Sequence, residues 1–333
     1  MKKMASYILF LGLAAILLYL SFREVKWSDF VEGLRKADYH WILLSMLFGA
    51  LSFWVRSMRW RLLIRGSGYQ VSKRGAFDAV NVAYITNFAF PRAGEVARCG
   101  VLAKTAGIPF ETLLGTVVLE RAFDTLCLVM ITVLVISLQW SVFGLFMEQQ
   151  LWHPFVTAIH GKVIYLLLII IAFLLLVLII VFRKRIQKFS MAAGLFRGLK
   201  SGFSMRQKAP FFGYTLVLWM LFWATCWCTI RAFPIAAHLN LLDALFLMVV
   251  GSFGWVVPVQ GGIGAYHFVV SLALASVYGI SQTPSLVFAT ISHESQTVTM
   301  VLFGLFSLVR VGMAKKRTGV VHSSYLPEAS SIK

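Results

Sequence analysis

Long apolar runs, separated by short and mostly basic connections, organise this 333-residue chain. The first run, about Met4–Leu20, predicts a membrane-spanning helix. Its MKK start resembles a secretory signal, but Ser21-Phe22-Arg23 offers no small-residue cleavage site, so a retained signal anchor is expected. Arg23–Tyr39 mixes four basic with four acidic side chains, which suits a non-cytoplasmic amphipathic connection. Within it, WSDFVEGL predicts a short interfacial helix starting at Ser28 or Asp29. The second run, about Trp41–Val55, passes into Arg56, Arg59, Arg61 and Arg65, followed by Lys73 and Arg74. These side chains are expected to snorkel as a cytoplasmic anchor, with Trp54 and Trp60 at the headgroup boundary.

The pattern then changes. Gly75–Gly107 reads GAFDAVNVAYITNFAFPRAGEVARCGVLAKTAG, with short apolar halves on either side of Pro91. Asp78, Asn81, Asn87, Arg92, Glu95 and Arg98 interrupt them, so neither half makes a lipid-facing span of about 20 residues. A helical hairpin that turns near Pro91–Gly94 fits better, provided that protein or a hydrated cavity shelters its backbone. Thr112–Leu138 predicts a long span carrying Glu120, Arg121 and Asp124, followed by an outer loop through His160. Val163–Phe182 is the most lipid-like span, and the acid-free connection from Arg183 to Lys208 is the strongest cytoplasmic marker. Phe211–Ile230 crosses outward, and Leu241–Tyr278 predicts a second broken hairpin around VVPVQGGIGAYH. Ser285–Val309 crosses inward to Arg310, Lys315, Lys316 and Arg317.

The expected fold class is therefore all-α: a polytopic helical membrane protein with two re-entrant or broken helical hairpins in inverted repeats. One transmembrane domain covers 1–317, with hairpins at 75–107 and 241–279, and 318–333 is read as a disordered cytoplasmic tail. The charges agree with both termini in the cytoplasm and six full crossings; ten spans, with each hairpin crossing twice, would give the same loop polarity.

Composition supports this reading. Hydrophobic residues make up 59% and charged residues 13%, against roughly 25% charged in soluble domains, so lipid must solvate much of the surface. The net charge of +18 lies in the connections, which points to anionic headgroups and away from nucleic acid. Cys99, Cys127, Cys226 and Cys228 form no recognisable zinc spacing and read as apolar packing. No metal or cofactor is expected.

A faint duplication joins the halves. Pro91 and Gly94 align with Pro258 and Gly261, and Gly107-Ile108 then matches Gly279-Ile280 after a five-residue allowance. Glu120 and Arg121 fall opposite Ser292 and His293, with Glu294 near the acidic position. Three crossings between the hairpins place them on opposite sides of the membrane.

Four polar groups carry the candidate chemistry. At the first break, marked by Pro91 and Gly94, Arg92 and Arg98 can reinforce peptide groups that bind an anion such as a phosphate headgroup. Asn87 belongs to the same group, and Glu95 can orient an arginine or meet a cationic group; equally, Arg92, Glu95 and Arg98 can be ion pairs at i,i+3. Glu120 and Asp124 share a helix face at i,i+4 beside Arg121 and require a partner cation, whether in a site or in a buried clasp to a hairpin arginine. At the second break, Pro258, Gly261, Gly262 and Gly264 suit a sharp turn or close helix packing, while Gln260, Tyr266 and His267 can add hydrogen bonds. In the last span, His293 and Glu294 can carry a proton or neutralise an amine, or His293 can be an ordinary core residue. Thr297 stands where a zinc protease would need a second histidine. No residue is assigned a catalytic role.

Taken together, NVAYITNFAFPRAGEVARCGVLAKTAGIPF, TVVLERAFD and VPVQGGIGAYH resemble the flippase-like membrane domain of lysylphosphatidylglycerol synthases and their stand-alone relatives. The resemblance covers most of residues 5–312 and is most specific at Pro91–Arg98 and Glu120–Asp124. It implies translocation of an anionic or zwitterionic phospholipid or a lipid-linked envelope precursor in a bacterial cytoplasmic (inner) membrane. An envelope-biosynthesis enzyme is a candidate partner. With only about 20 residues after the last basic boundary, the soluble aminoacyl-transfer domain is expected to be lacking. A membrane enzyme or synthase-associated subunit acting on a headgroup, through Glu120, Asp124, His293 and Glu294, and a noncatalytic scaffold are the alternatives. The resemblance leaves the oligomeric state unassigned.

Overall fold

The computed structural model describes residues 2–23, 25–140, 144 and 207–313. Within them the chain is built of helices joined by turns: α1 (Lys2–Phe22), α2 (Trp27–Lys36), α3 (Tyr39–Gly66), α4 (Lys73–Ala89) and α5 (Gly94–Ala106). They are followed by α6 (Phe110–Leu138), α7 (Lys208–Arg231), α8 (Leu241–Val256), α9 (Ala265–Tyr278) and α10 (Gln282–Met313). The expected span Val163–Phe182, the basic connection over 183–206 and the tail 318–333 lie outside the described residues.

By length and composition, five stretches can cross a membrane: Tyr39–Gly66, Phe110–Leu138, Lys208–Arg231, Gln260–Tyr278 and Gln282–Met313. The pattern on α3 is the reverse of a soluble helix. Leu43, Leu47 and Leu51 form an exposed stripe, while Ser45, Gly49 and Ser52 are buried. Gln296 of α10 fits against Gly49 and donates to the Ser45 hydroxyl at 3.2 Å, so small polar residues let these two spans approach closely.

Contacts along the bundle fix the direction of each helix. The Asp38 amide donates to the Ala232 carbonyl at 2.8 Å, and Arg59 lies over the Phe211 ring, so α7 runs antiparallel to α3. Trp60 Nε1 donates to Thr116 at 3.0 Å, which sets the start of α6 beside the basic end of α3. Arg310 meets Asp78 at 3.3 Å, placing the start of α4 and the end of α10 at that same end.

The two hairpins enter from opposite ends. From the basic end, α4 rises to a turn at Phe90–Ala93, and α5 returns to bury Leu102 against the cluster around Trp60 and Leu63. From the other end, α8 begins in a capping box between Asn240 and Asp243. Asp243 also accepts from Gln139 at the end of α6 and from Tyr278 at the end of α9, so the second hairpin returns to where it started. Although Gln260–Tyr278 is long enough to cross, its limb α9 is only 14 residues, about 21 Å of helix. The aligned pairs Gly107-Ile108 and Gly279-Ile280 serve alike: each glycine ends a helix with φ of 68° or 65°, and each isoleucine is buried.

One expectation needs correction. The second span does not end near Val55; α3 continues to Gly66, with Arg56 largely buried and Arg59 and Trp60 wholly so. Only farther along is the anchor pattern seen, with Arg61 bound to the Val71 carbonyl at 2.7 Å and Arg65 exposed. The physical reason is the need of two buried carboxylates for cations.

The first turn depends on a glycine. A Cβ at Gly94 would lie 2.2 Å from the Ala83 carbonyl oxygen and 2.6 Å from Asn87 Nδ2. Gly94→Ala is expected to lower stability by about 1–3 kcal/mol, read as an earlier thermal unfolding midpoint in detergent. Gly100→Ala on the same helix, where the added Cβ meets open space, is the control. Equal midpoints for the two variants would contradict the close approach.

Candidate functional site

Glu120 lies on α6, about 15 Å from the start of the helix, with its side chain wholly buried. Four guanidinium groups from three helices surround it. Arg98 of α5 reaches Oε2 at 2.9 Å; Arg121 of α6, Arg56 and Arg59 of α3 reach Oε1 at 2.9, 3.1 and 3.2 Å. One helical turn on, Asp124 meets Arg59 at 2.6 Å, Arg121 at 2.9 Å and Arg56 at 3.1 Å. This resolves the like-charge pair at i,i+4, since bridging cations replace the repulsion. Arg98 is packed 4.5 Å above the Trp60 ring, and Arg56 donates to the Tyr84 hydroxyl at 3.0 Å.

The charges do not balance. Four arginines contact two carboxylates, a formal surplus of two positive charges, of which Glu95 on the wall of the adjoining cavity offsets one. The buried Nε and Nη1 of Arg59 and Nε of Arg121 have no hydrogen-bond partner. A cavity of about 80 Å³ opens beside the cluster, lined by Arg56, Tyr84, Asn87, Glu95, Arg98 and Arg121 among others. That holds several waters or one small oxyanion, and is well below the roughly 300–1,000 Å³ of pockets for larger ligands.

Asn87, Glu95 and Arg98 of the first group and Arg121 of the second come together at the cavity, with Glu120 and Asp124 behind them. Asn87 has a structural task as well: its Oδ1 accepts the Gly94 amide at 2.7 Å, satisfying the first N–H of α5 across the hairpin. Arg98 turns to Glu120, so a buried clasp between α6 and the first hairpin is formed in place of an i,i+3 pair. Arg92 is a correction. Among the described residues that line the cavity it is missing; it is exposed, has φ of 62°, and donates to the Val256 carbonyl of α8. It ties the two breaks together, and Phe88 packs against Gly261 at the same junction. Arg56 and Arg59 were missed as site residues. Their signal was the spacing that puts both on the face of α3 turned to α6, together with the unmet need of Glu120 and Asp124 for cations.

The second break forms a separate group. Gly261, Gly262 and Gly264 adopt φ of 56°, 80° and 81°, and a Cβ at Gly264 would meet the Ala14 carbonyl of α1 at 2.7 Å. Both the sharp turn and the close packing are therefore present. Pro258 precedes the turn, and the buried Gln260 amide has no hydrogen-bond partner at either atom. Tyr266 is hydrogen-bonded to Ser292 at 2.8 Å. Buried His293 is bonded through Nε2 to the Gly261 carbonyl at 2.8 Å and through Nδ1 to Glu294 at 2.9 Å. His267 Nε2 lies 3.8 Å from the same Glu294 oxygen. Ligand-type atoms of His267, His293 and Glu294 all lie within 4.8 Å of one another, close enough to share one cation.

Comparison with known proteins agrees with this architecture. Residues 7–304 match the family described as lysylphosphatidylglycerol synthase TM region. A UPF0104 membrane protein of Methanothermobacter thermautotrophicus is 28% identical over 41% of this chain and 40% of its own length. A second UPF0104 membrane protein, of Methanocaldococcus jannaschii, is 27% identical over 38% of each chain. The glycosyltransferase AglD of Haloferax volcanii is 22% identical over 91% of this chain and 53% of its own length. The chain thus spans about half or less of these curated relatives. No solved structure matches it.

Removing one partner of a buried charge cluster leaves the others uncompensated. Glu120→Gln is expected to cost about 3–5 kcal/mol, measured by unfolding in detergent, whereas Glu95→Gln at the cavity wall should change stability little. Similar losses for both variants would show that the cluster is not the main restraint.

Proposed function

This chain belongs to the lysylphosphatidylglycerol synthase transmembrane-region family, and on that footing we propose that it moves a charged phospholipid or lipid-linked envelope precursor across the membrane. The carrying observation is the cationic surplus of Arg56, Arg59, Arg98 and Arg121 beside a cavity inside an apolar bundle. Buried cations without enough carboxylates favour an anionic guest, and guanidinium groups match phosphate oxygens in geometry. The cavity admits a phosphate rather than a whole headgroup. The remainder of the lipid would extend along the first hairpin while its tails stay in the bilayer. Asn87 and Glu95, on the same wall, would orient the headgroup's polar or cationic part. The junction that Arg92 makes with Val256 is the natural place for the two hairpins to separate. Both termini in the cytoplasm, in a bacterial inner membrane or its archaeal counterpart, agrees with the basic connections.

The alternative is a membrane subunit serving an enzyme that modifies a lipid headgroup or builds the envelope. Its support is the relative named as a glycosyltransferase. The acid–base candidates favour it less: Glu120 and Asp124 are clamped by arginines, whereas His293 and Glu294 sit in the other group.

The test is transbilayer redistribution in proteoliposomes. Anionic phospholipid should equilibrate between leaflets with the folded protein, and diacylglycerol, lacking phosphate, should show no protein-dependent change. Arg121→Gln should slow movement by about tenfold or more, as expected for loss of a charged hydrogen bond of 1.5–3 kcal/mol, and Arg121→Lys should fall between. A wild-type protein that leaves the distribution of a broad lipid panel unchanged sinks the proposal.

A further inference from the structure

We infer that His267, His293 and Glu294 form a binding site for one divalent transition-metal ion, of the class that zinc represents, at the second helix break. The ligand-type atoms of all three lie within 4.8 Å of one another. His293 Nδ1 is 2.9 Å from Glu294 Oε1, and His267 Nε2 is 3.8 Å from the same oxygen. Zinc bonds of about 2.0–2.2 Å to nitrogen and oxygen set tetrahedral ligands about 3.3–3.6 Å apart, so side-chain shifts of under about 1 Å bring the three around one ion. Two imidazoles and one carboxylate suit a transition metal; calcium and magnesium take oxygen ligands.

Two observations point to a metal ion beyond mere proximity. The Gly261 carbonyl can only accept, so at 2.8 Å His293 Nε2 carries the ring hydrogen. Nδ1 then presents a lone pair to a carboxylate oxygen, and two acceptors in contact call for a cation between them. The second observation is His267. It is 3% exposed, yet its Nδ1 has no hydrogen-bond partner and its Nε2 stands beyond hydrogen-bond reach of Glu294. A buried polar ring without partners is costly, and coordination removes the cost. A shared hydrogen would bridge His293 and Glu294 alone; a metal ion engages His267 as well.

The surroundings complete the site. The Nε2–H bond to Gly261 is the outer contact that fixes the tautomer and orientation of a ligating histidine. Trp255 stacks on the His293 ring at 5.0 Å, and Gly262 lets the turn close over them, since a Cβ there would lie 3.1 Å from the Trp255 ring. Glu294 is 46% exposed and gives the ion a way in. Three protein ligands leave a fourth position for water or an anion, and an anion there cancels the one positive charge that remains. The ion joins α9 to α10 and, through Gly261, to the turn that packs on Phe88 of the first hairpin. The ligands come from two helices, which hides the site in the sequence: the second histidine is on α9, not at Thr297 one turn beyond His293. The site does not rest on the lipid-transport reading.

The test is zinc binding by the full chain in detergent, purified through a tag without histidine and stripped with a chelator. Equilibrium dialysis should find one zinc ion per chain. Affinity should fall at least about tenfold in His267→Gln, His293→Gln and Glu294→Gln, since even outer contacts of a metal site are worth about 10–100-fold. His40→Gln and His238→Gln, at exposed histidines, should bind as the wild type does. Zinc should also raise the thermal unfolding midpoint of the wild type and leave that of His267→Gln unmoved. X-ray absorption at the zinc edge of the wild-type protein should show two imidazole nitrogens with oxygen ligands, a readout that holds even where a variant fails to fold. Absence of saturable binding overturns the proposal. So does binding that survives all three ligand substitutions, binding lost only with His40 or His238, or a zinc shell without two imidazoles.

Discussion

The structure depends on the Glu120 carboxylate. Fully buried, it holds guanidinium groups from α3, α5 and α6 within 3.2 Å and so ties the first hairpin to two spanning helices. An isolated carboxylate in this setting would be prohibitive, and four isolated arginines still more so. Their mutual neutralisation lets polar chemistry exist inside an apolar bundle. It is incomplete, and the uncancelled positive charge opens onto the cavity wall. The same interaction thus joins three helices and leaves net positive charge beside the cavity.

The hairpins follow from a second constraint. Backbone groups at a helix break need partners wherever water is excluded. At the first break Asn87 provides one for Gly94; at the second His293 provides one for Gly261. In the first case the side chain comes from a helix of the same hairpin, and in the second from the neighbouring α10. Where the breaks meet, Arg92 satisfies the Val256 carbonyl. Each break therefore carries a polar side chain that meets a backbone group of the turn.

Much of this was legible in the sequence, and the gaps have physical causes. The apolar runs, the interruptions at Pro91 and Pro258, and the glycines that end α5 and α9 gave the all-helical membrane architecture and its opposed hairpins, because proline and glycine limit a helix wherever it lies. The carboxylates at Glu120 and Asp124 advertised their need for cations. What the sequence did not reveal was which arginines answer it. Arg56 and Arg59 follow an apolar run and precede more basic residues, a pattern shared by every helix end at a headgroup. Only the facing of α3 against α6 shows that they turn inward. Conversely Arg92, within the most specific motif, lies outside the cavity, because its φ of 62° directs the chain toward α8. Linear proximity to Arg98 did not determine spatial proximity.

The central claim is that uncancelled arginine charge inside the bundle receives a lipid phosphate. The most direct measurement is a structure of the protein in native lipids, with the copurified lipids identified by mass spectrometry. The account predicts phosphate density between Arg56, Arg98 and Arg121, continuous with acyl chains that leave along the first hairpin. Lipid density confined to the outer belt, with the arginine cavity filled by water alone, would contradict it.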